Sequence, residues 1–320
     1  MLTIRSAAGI VSATIAACGV NGVCAQAYPA KPIRFVTTGI GGGVDFASRL
    51  IAQGLTDNAS WQTVVDNRPT GIIAAETVSR AAPDGYTLYV GTGSLWLGPY
   101  FQKMPYDPVK DFAPISLTNQ APNLLIVHPS LPAKTVKELI TLAKARPREL
   151  NYASTAIGST NHLAAELFKH MAGVDIVRIP FKSSGTATNA LLGGEVQLNF
   201  GTAGSIAPHV KSGRLRALAV TSDKPSALFP GMPTVAATGL PGYESSTMTV
   251  VFAPAATPAA LTSRLNQEIV RTLQRPDVKE KFMNSGVEPV GTTPEEAAAK
   301  IKSEMQRMGK LIKDAGMRLE

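Results

Sequence analysis

Asn151-Tyr152-Ala153-Ser154-Thr155-Ala156-Ile157-Gly158-Ser159-Thr160-Asn161-His162 reads as a strand end, a glycine- and hydroxyl-rich turn, and the first turn of a helix. Helical spacing continues from Leu163 to Met171 and stops at Gly173. With Ser159 or Thr160 as N-cap, the first backbone N–H groups of that helix point at whatever lies above the turn. A helix N-terminus carries about half a positive charge and is a natural seat for a carboxylate or phosphate. A second copy of the design lies upstream: Ile33–Thr37 as strand, Gly39–Gly43 as turn, Val44–Leu55 as helix. Two such turns facing each other across a cleft would grip one anion from both sides.

The alternation of strands and helices around these turns defines an α/β protein. Gln62–Val65 and Thr87–Val90 are the next strands, separated by a helix within Gly71–Ala81. Pro105 to Pro114 reads as a proline-broken connection, and Leu124–Val127 as a strand leaving the first unit. Thr135-Val136-Lys137-Glu138 opens a helix with a capping-box pattern. The second unit repeats the first, with strands at Leu150–Ser154, Asp175–Ile179, Val196–Phe200 and Arg216–Thr221. Met248–Ala253 carries the chain back, and three helices finish it, the last opened by Thr293-Pro294-Glu295-Glu296. Such βαβ order predicts mostly parallel sheets flanked by helices. The expected division is a leader at 1–27, a discontinuous first lobe at 28–126 and 252–320, and a second lobe at 127–251. Two crossings form a hinge, and hinged lobes close on ligands.

Composition narrows the function. The chain has 320 residues, 44% hydrophobic and 17% charged, enough for two cores and too apolar for disorder. Its net charge of +8 is spread rather than clustered, and aromatics are 6%, so nucleic-acid binding is not expected. Arg5, the apolar run Ala7–Val20 and Ala25-Gln26-Ala27 make an export signal with a mature start at Tyr28. Both cysteines, Cys18 and Cys24, fall inside it. Ile15-Ala16-Ala17-Cys18 also resembles a lipoprotein processing site, which gives the alternative of a lipid-anchored exported chain.

Several patterns point away from cofactors and catalysis. Gly39-Ile40-Gly41 begins a dinucleotide fingerprint, with Asp66 placed as a ribose acid, but Val44 stands where the third glycine belongs. His162, Glu166 and His170 share a helical face, without a second ligand cluster for a metal. No Gly-x-Ser-x-Gly nucleophile turn occurs. Asp45, in the first turn of its helix, suits a capping role better than contact with an anion. Trp96 reads as core. The candidate ligand-binding residues are Thr37, Thr38, Gly39, Ile40, Gly41 and Gly42 in the first turn and Ser154, Thr155, Gly158, Ser159, Thr160 and His162 in the second. Thr92, Ser94, Lys182, Ser183, Gly201 and Thr202 stand at neighbouring strand ends. Ser184 and Ser205 add neutral polar groups, and no acid is expected in the cleft.

Motifs in order along the chain resemble the Bug (TctC-like) receptors of tripartite tricarboxylate transporters. They are Tyr28-Pro29 with Lys31-Pro32-Ile33-Arg34, Gly41-Gly42-Gly43 with Asp45, Asn67-Arg68-Pro69, and Ala82-Pro83-Asp84-Gly85-Tyr86-Thr87-Leu88. Pro105-Tyr106-Asp107-Pro108, Asp111-Phe112-Ala113-Pro114, Asn151-Tyr152-Ala153-Ser154 and His162-Leu163-Ala164 with Glu166-Leu167-Phe168 follow. Arg216-Ala217-Leu218-Ala219-Val220-Thr221 and Gly239-Leu240-Pro241-Gly242-Tyr243-Glu244 complete the set. The resemblance implies a two-lobed periplasmic binding protein of the type II, Venus-flytrap kind. It implies a carboxylate held between the glycine turns by backbone N–H groups, hydroxyls and waters, in a monomer that serves membrane transporter subunits. This chain departs from the family pattern at Thr37-Thr38-Gly39-Ile40, at the short apolar Thr70-Gly71-Ile72-Ile73, and at Gly201, where the family often has aspartate. The expected function is therefore a non-catalytic, cofactor-free periplasmic receptor for a small aliphatic or aromatic mono- or dicarboxylate. The alternatives are an exported hydrolase or isomerase using the cleft hydroxyls, and a sensor feeding a membrane kinase. Catalytic turnover of a bound carboxylate would favour the enzyme.

Overall fold

The computed structural model describes residues 28–155 and 157–317; of residues 203–205 only the backbone is described. The expected leader with Cys18 and Cys24, Ala156, and the side chain of Ser205 therefore lie outside the described residues. From Lys31 onward the chain forms one compact unit. Strand β1 (Ile33–Thr37), helix α1 (Gly43–Ala59), β2 (Thr63–Asn67), α2 (Gly71–Ser79) and β3 (Thr87–Gly91) alternate at its start. A short helix α3 (Ser94–Leu97) and a 3-10 turn (Gly98–Tyr100) lead to the long strand β4 (Phe112–Val127). Then come α4 (Val136–Ala145), β5 (Asn151–Ser154), α5 (Thr160–Ala172), β6 (Val177–Pro180), α6 (Ser184–Leu192), β7 (Leu198–Thr202), α7 (Ala203–Lys211) and β8 (Arg216–Val220). Helix α8 (Val235–Thr238), β9 (Ser246–Pro254), α9 (Ala259–Gln274), α10 (Pro276–Asn284), β10 (Glu288–Pro289) and α11 (Pro294–Asp314) complete the fold.

The strands lie in the order β2-β1-β3-β9-β4-β7-β5-β6, with β8 and β10 also paired to β4. The outer pairs are parallel: β1 with β2 and β3, β5 with β6 and β7. Every pair made by β4 or β9 is antiparallel. β4 pairs with β9 as far as Pro122 opposite Ser246, then with β7 from Asn123 opposite Thr202. The change of partner falls at Pro122, which has no N–H to give a ladder.

β4 corrects the expectation of a connection over Pro105–Pro114. It begins at Phe112, and its register with β9 shifts between Pro114 and Ser116, a bulge where a proline is tolerated inside a sheet. β7 begins two residues later than expected, so Gly201 lies inside the strand opposite Leu124 rather than after it.

One apolar core runs from Val36, Tyr89 and Trp96 through Leu125 and Val127 to Phe168 and Phe200. Helix α11 seals part of it. Thr293 and Glu296 form the expected reciprocal cap, at 3.2 and 2.9 Å, and Ala297, Ile301, Met308 and Ile312 are buried. The helix packs on β4, α3 and α5. Its Lys300 and Arg307 reach Glu244 at 3.4 and 2.8 Å, just before β9, and Lys300 also reaches Asp223 at 3.1 Å.

Candidate functional site

A cavity of about 490 Å³ opens where strand ends and helix starts from both parts of the sheet converge. Thr38 after β1, Thr70 to Ile72 at the start of α2, and Thr92 to Ser94 after β3 form one wall. Ile157 to Thr160 and Leu163 form the opposite wall, from the turn that opens α5. Ser245 to Met248 line it where the chain enters β9. Leu97, Phe101, Met104 and Met308 make it apolar, and Glu304 of α11 also reaches it.

The α5 turn is held by its own side chains, and the His162 N–H in its first helical turn already donates to Asn161 Oδ1 at 3.0 Å. Gly158 has φ +77°, a left-handed conformation that glycine adopts without steric cost. Its N–H donates to His162 Nδ1 at 3.1 Å. His162 is buried, and burial together with the nearby Arg178 guanidinium pushes its pKa down to about 4. The imidazole is therefore neutral near pH 7, with Nδ1 free to accept. Ser159 is the N-cap, yet its hydroxyl caps no helix N–H; it donates to Asn161 Oδ1 at 2.6 Å. The Thr155 hydroxyl donates to the same oxygen at 3.0 Å. Arg178 braces the turn from β6, donating from Nε to Ser154 Oγ and from Nη2 to the Thr155 carbonyl, both at 2.7 Å.

A second cavity of about 60 Å³ adjoins the first through Ser159 and Thr160. Thr155, Asn161, Thr188, Gly201 and Thr202 also line it. Asn199 Oδ1 is buried beside it and has no partner among the described residues. Thr202, which directly precedes the first residue of α7, faces this space. The room suits a few ligand atoms or ordered water.

The model of the tripartite tricarboxylate transporter family receptor matches residues 47–317. The chain belongs to that receptor family. BugT from Bordetella pertussis is 35% identical over 97% of this chain and 98% of its own length. A solved structure of an R. palustris protein with adipate is 36% identical, with a TM-score of 0.73 over 91% of this chain and 100% of that one. MatC from Rhodopseudomonas palustris with bound malate is 28% identical, with a TM-score of 0.67 over 88% of this chain and 100% of its own. The fold is the two-lobed periplasmic binding protein fold, with β4 and β9 at its centre.

Of the residues singled out in sequence, the receptor gathers Thr38, Thr92, Ser94, Gly158, Ser159 and Thr160 around the larger cavity. Thr155, Gly201 and Thr202 join Ser159 and Thr160 at the smaller one. Gly201 has no room for a side chain, because a Cβ there would stand 2.5 Å from Ile206 Cγ1. Thr37 is buried, with its hydroxyl on the Val90 carbonyl at 3.2 Å. Ser154 and His162 stand behind the α5 turn, holding it. Lys182 and Ser183 are exposed and line neither cavity; Ser183 caps α6 in a reciprocal box with Thr186. Glu166 accepts from Tyr152 at 2.6 Å and Lys169 at 2.8 Å, and Trp96 is buried in the core.

One expectation is corrected: the cleft wall is not free of acids, since Glu304 lines it. Gly39, Ile40, Gly41 and Gly42 line neither cavity, and Ile40 is 81% exposed; Thr38, just before them, reaches the larger one. Sequence reasoning also missed Arg178, Phe101, Met104 and Ser246, whereas the Thr70–Ile73 loop it singled out does line the cavity through Thr70, Gly71 and Ile72. Arg178 carried a signal: a lone cation flanked by Val177 and Ile179 in a strand beside the key turn. Glu304 looked like one more charge on an amphipathic helix. Among the described residues no helix is long and apolar enough to cross a membrane.

Proposed function

We propose that this receptor is exported to the periplasm, captures a small carboxylate in the larger cavity, and delivers it as a monomer to a tripartite membrane transporter. The observation that carries the reading is the start of α5, where Ser159 makes no side-chain cap and opens with Thr160 onto an otherwise largely apolar cavity. Backbone N–H groups and hydroxyls there suit a carboxylate, and Leu97, Phe101, Met104 and Leu163 suit a hydrocarbon body. The relatives seen with adipate and malate support the ligand class. The ligand is an aliphatic or aromatic mono- or dicarboxylate with a non-cationic body. The lobes move about the segments near Pro122 and Ser245, where the pairing of β4 changes and the chain enters β9.

A thermal-shift and calorimetric screen over carboxylates tests this, because a ligand bound only by the folded form raises its stability. Glutarate is expected to bind tighter than glutamate, and succinate tighter than aspartate; the reverse order would overturn the ligand class. Recovery of the bound acid unchanged is expected, and catalytic turnover would replace the receptor with an enzyme.

A further inference from the structure

Glu304 is a buried acid without a cation of its own. It is 8% exposed, on the face of α11 that meets the cavity. Trp96 Nε1 of α3 donates to its Oε2 at 2.8 Å. Its other oxygen has no partner among the described residues and is not sealed away from the cavity. The neighbouring cations are already engaged: Arg307 with Glu244, Lys300 with Asp223 and Glu244. Burial is the main influence on Glu304 and lifts its pKa to about 7; the Trp96 hydrogen bond, Arg307 and Lys300 pull it down, and Glu244 pushes it up. An unpartnered carboxyl oxygen in an apolar wall is costly unless a ligand completes it.

We propose that Glu304 forms a second polar subsite of this cavity, which holds the second carboxylate of a dicarboxylate through a proton carried by Glu304. This rests on the carboxylate reading above and narrows it. One carboxylate sits at the start of α5; the other accepts a hydrogen bond from the neutral Glu304 carboxyl. Two carboxyl groups in one site share a proton rather than both ionise. Where Glu304 begins ionised, one proton enters from solvent on binding and returns on release. An ammonium would instead need the ionised form, which burial disfavours.

Calorimetry on the intact receptor tests this with the dicarboxylates succinate through pimelate, each against the monocarboxylate of equal carbon number, and with 6-aminohexanoate. At about pH 6.5 the best dicarboxylate is expected to outbind its monocarboxylate by on the order of tenfold. That ratio falls by up to about tenfold per unit as the pH rises above about 7, because binding takes up a proton. Titrations in two buffers of different ionisation enthalpy report that uptake directly and need no variant. In Glu304→Gln the ratio becomes independent of pH. A pH-independent ratio in the native receptor, a pH dependence that persists in Glu304→Gln, or tighter binding of 6-aminohexanoate than of any dicarboxylate would each overturn the subsite. If monocarboxylates bind without any dicarboxylate preference, the subsite falls and the carboxylate reading stands. If neither class binds at any pH, both fall.

Discussion

The turns that open α1 and α5 share one plan and differ in one charge. In each, a left-handed glycine gives its N–H to the side chain four residues on: Gly41 to Asp45 Oδ2 at 2.9 Å, Gly158 to His162 Nδ1 at 3.1 Å. Asp45 is an anion built into its own helix start. Burial pushes its pKa up, but Arg49, the Gly41 N–H and Asn67 outweigh that and hold it below the usual carboxylate range. Arg49 lies 3.0 Å from one of its oxygens, and Asn67 Nδ2 binds the same oxygen at 2.8 Å. The positive end of α1 is thus answered internally. His162 answers the Gly158 N–H with a neutral nitrogen, and Asn161 Oδ1 takes the His162 N–H, so α5 carries no anion of its own at its positive end. Two motifs that look alike in sequence thus differ: one sets its own carboxylate at the helix start and one opens onto a cavity.

The largest effect that would break this contrast comes from proline. Gly158→Pro removes the N–H that His162 accepts and forbids the positive φ, so carboxylate binding is expected to vanish, with stability lowered by roughly 3 kcal/mol. Gly41→Pro is expected to destabilise to a similar degree while binding survives. Gly158→Ala is a milder probe; it carries about 1–2 kcal/mol of left-handed strain and presses a Cβ to 3.1 Å from the Phe101 ring. Equal loss of binding in the two proline variants, measured by calorimetry on protein shown to be folded, would erase the asymmetry.

A pH series comes next. The folded pKa of His162 is about 4 against about 6.5 unfolded, so the unfolded chain binds more protons between those values. The contribution of His162 is fully present above about pH 6.5 and is lost as pH falls towards about 4, by a few kcal/mol at most. Glu304 acts in the opposite sense: its folded pKa is raised from about 4.5 to about 7, so its contribution declines as pH rises through that range. The readout is therefore the difference between native protein and His162→Gln in urea melts at several pH values. That difference should shrink as pH falls towards about 4, and a constant difference would show that His162 does not titrate as argued.

Asp45→Asn should cost about 1–2 kcal/mol of stability, since charge-assisted bonds from Arg49 and Gly41 weaken. Carboxylate affinity should change by less than about twofold, because screened charges outside the site act weakly. A tenfold change would mean the α1 turn belongs to the ligand after all. The smallest effect is expected at Lys182→Ala, within about 0.5 kcal/mol of stability and with binding nearly unchanged, because the side chain is exposed and lines neither cavity.

Local physics was legible wherever one element decided it. The cap of α11 is written in Thr293-Pro294-Glu295-Glu296, and its buried stripe in the spacing of Ala297, Ile301 and Met308. The α5 turn was legible because a glycine, two hydroxyls and a helix start are contiguous. β4 was not, because its prolines argue for a loop until a bulge and a change of partner accommodate them. Glu304 was not, because its burial comes from α3 and from the cavity, both distant in sequence.

The chain alone determined where the helices begin, since N-caps and glycine turns are properties of four or five adjacent residues. Which of those helix ends would meet a ligand was decided only in three dimensions. Whether an end is neutralised depends on side chains such as Arg49, Asn67 and Arg178 arriving from other turns and strands. Whether an acid is solvated or poised in a cavity depends on what packs over it. Trp96 and Glu304 are 208 positions apart, and only the packing of α11 against α3 brings them within a hydrogen bond.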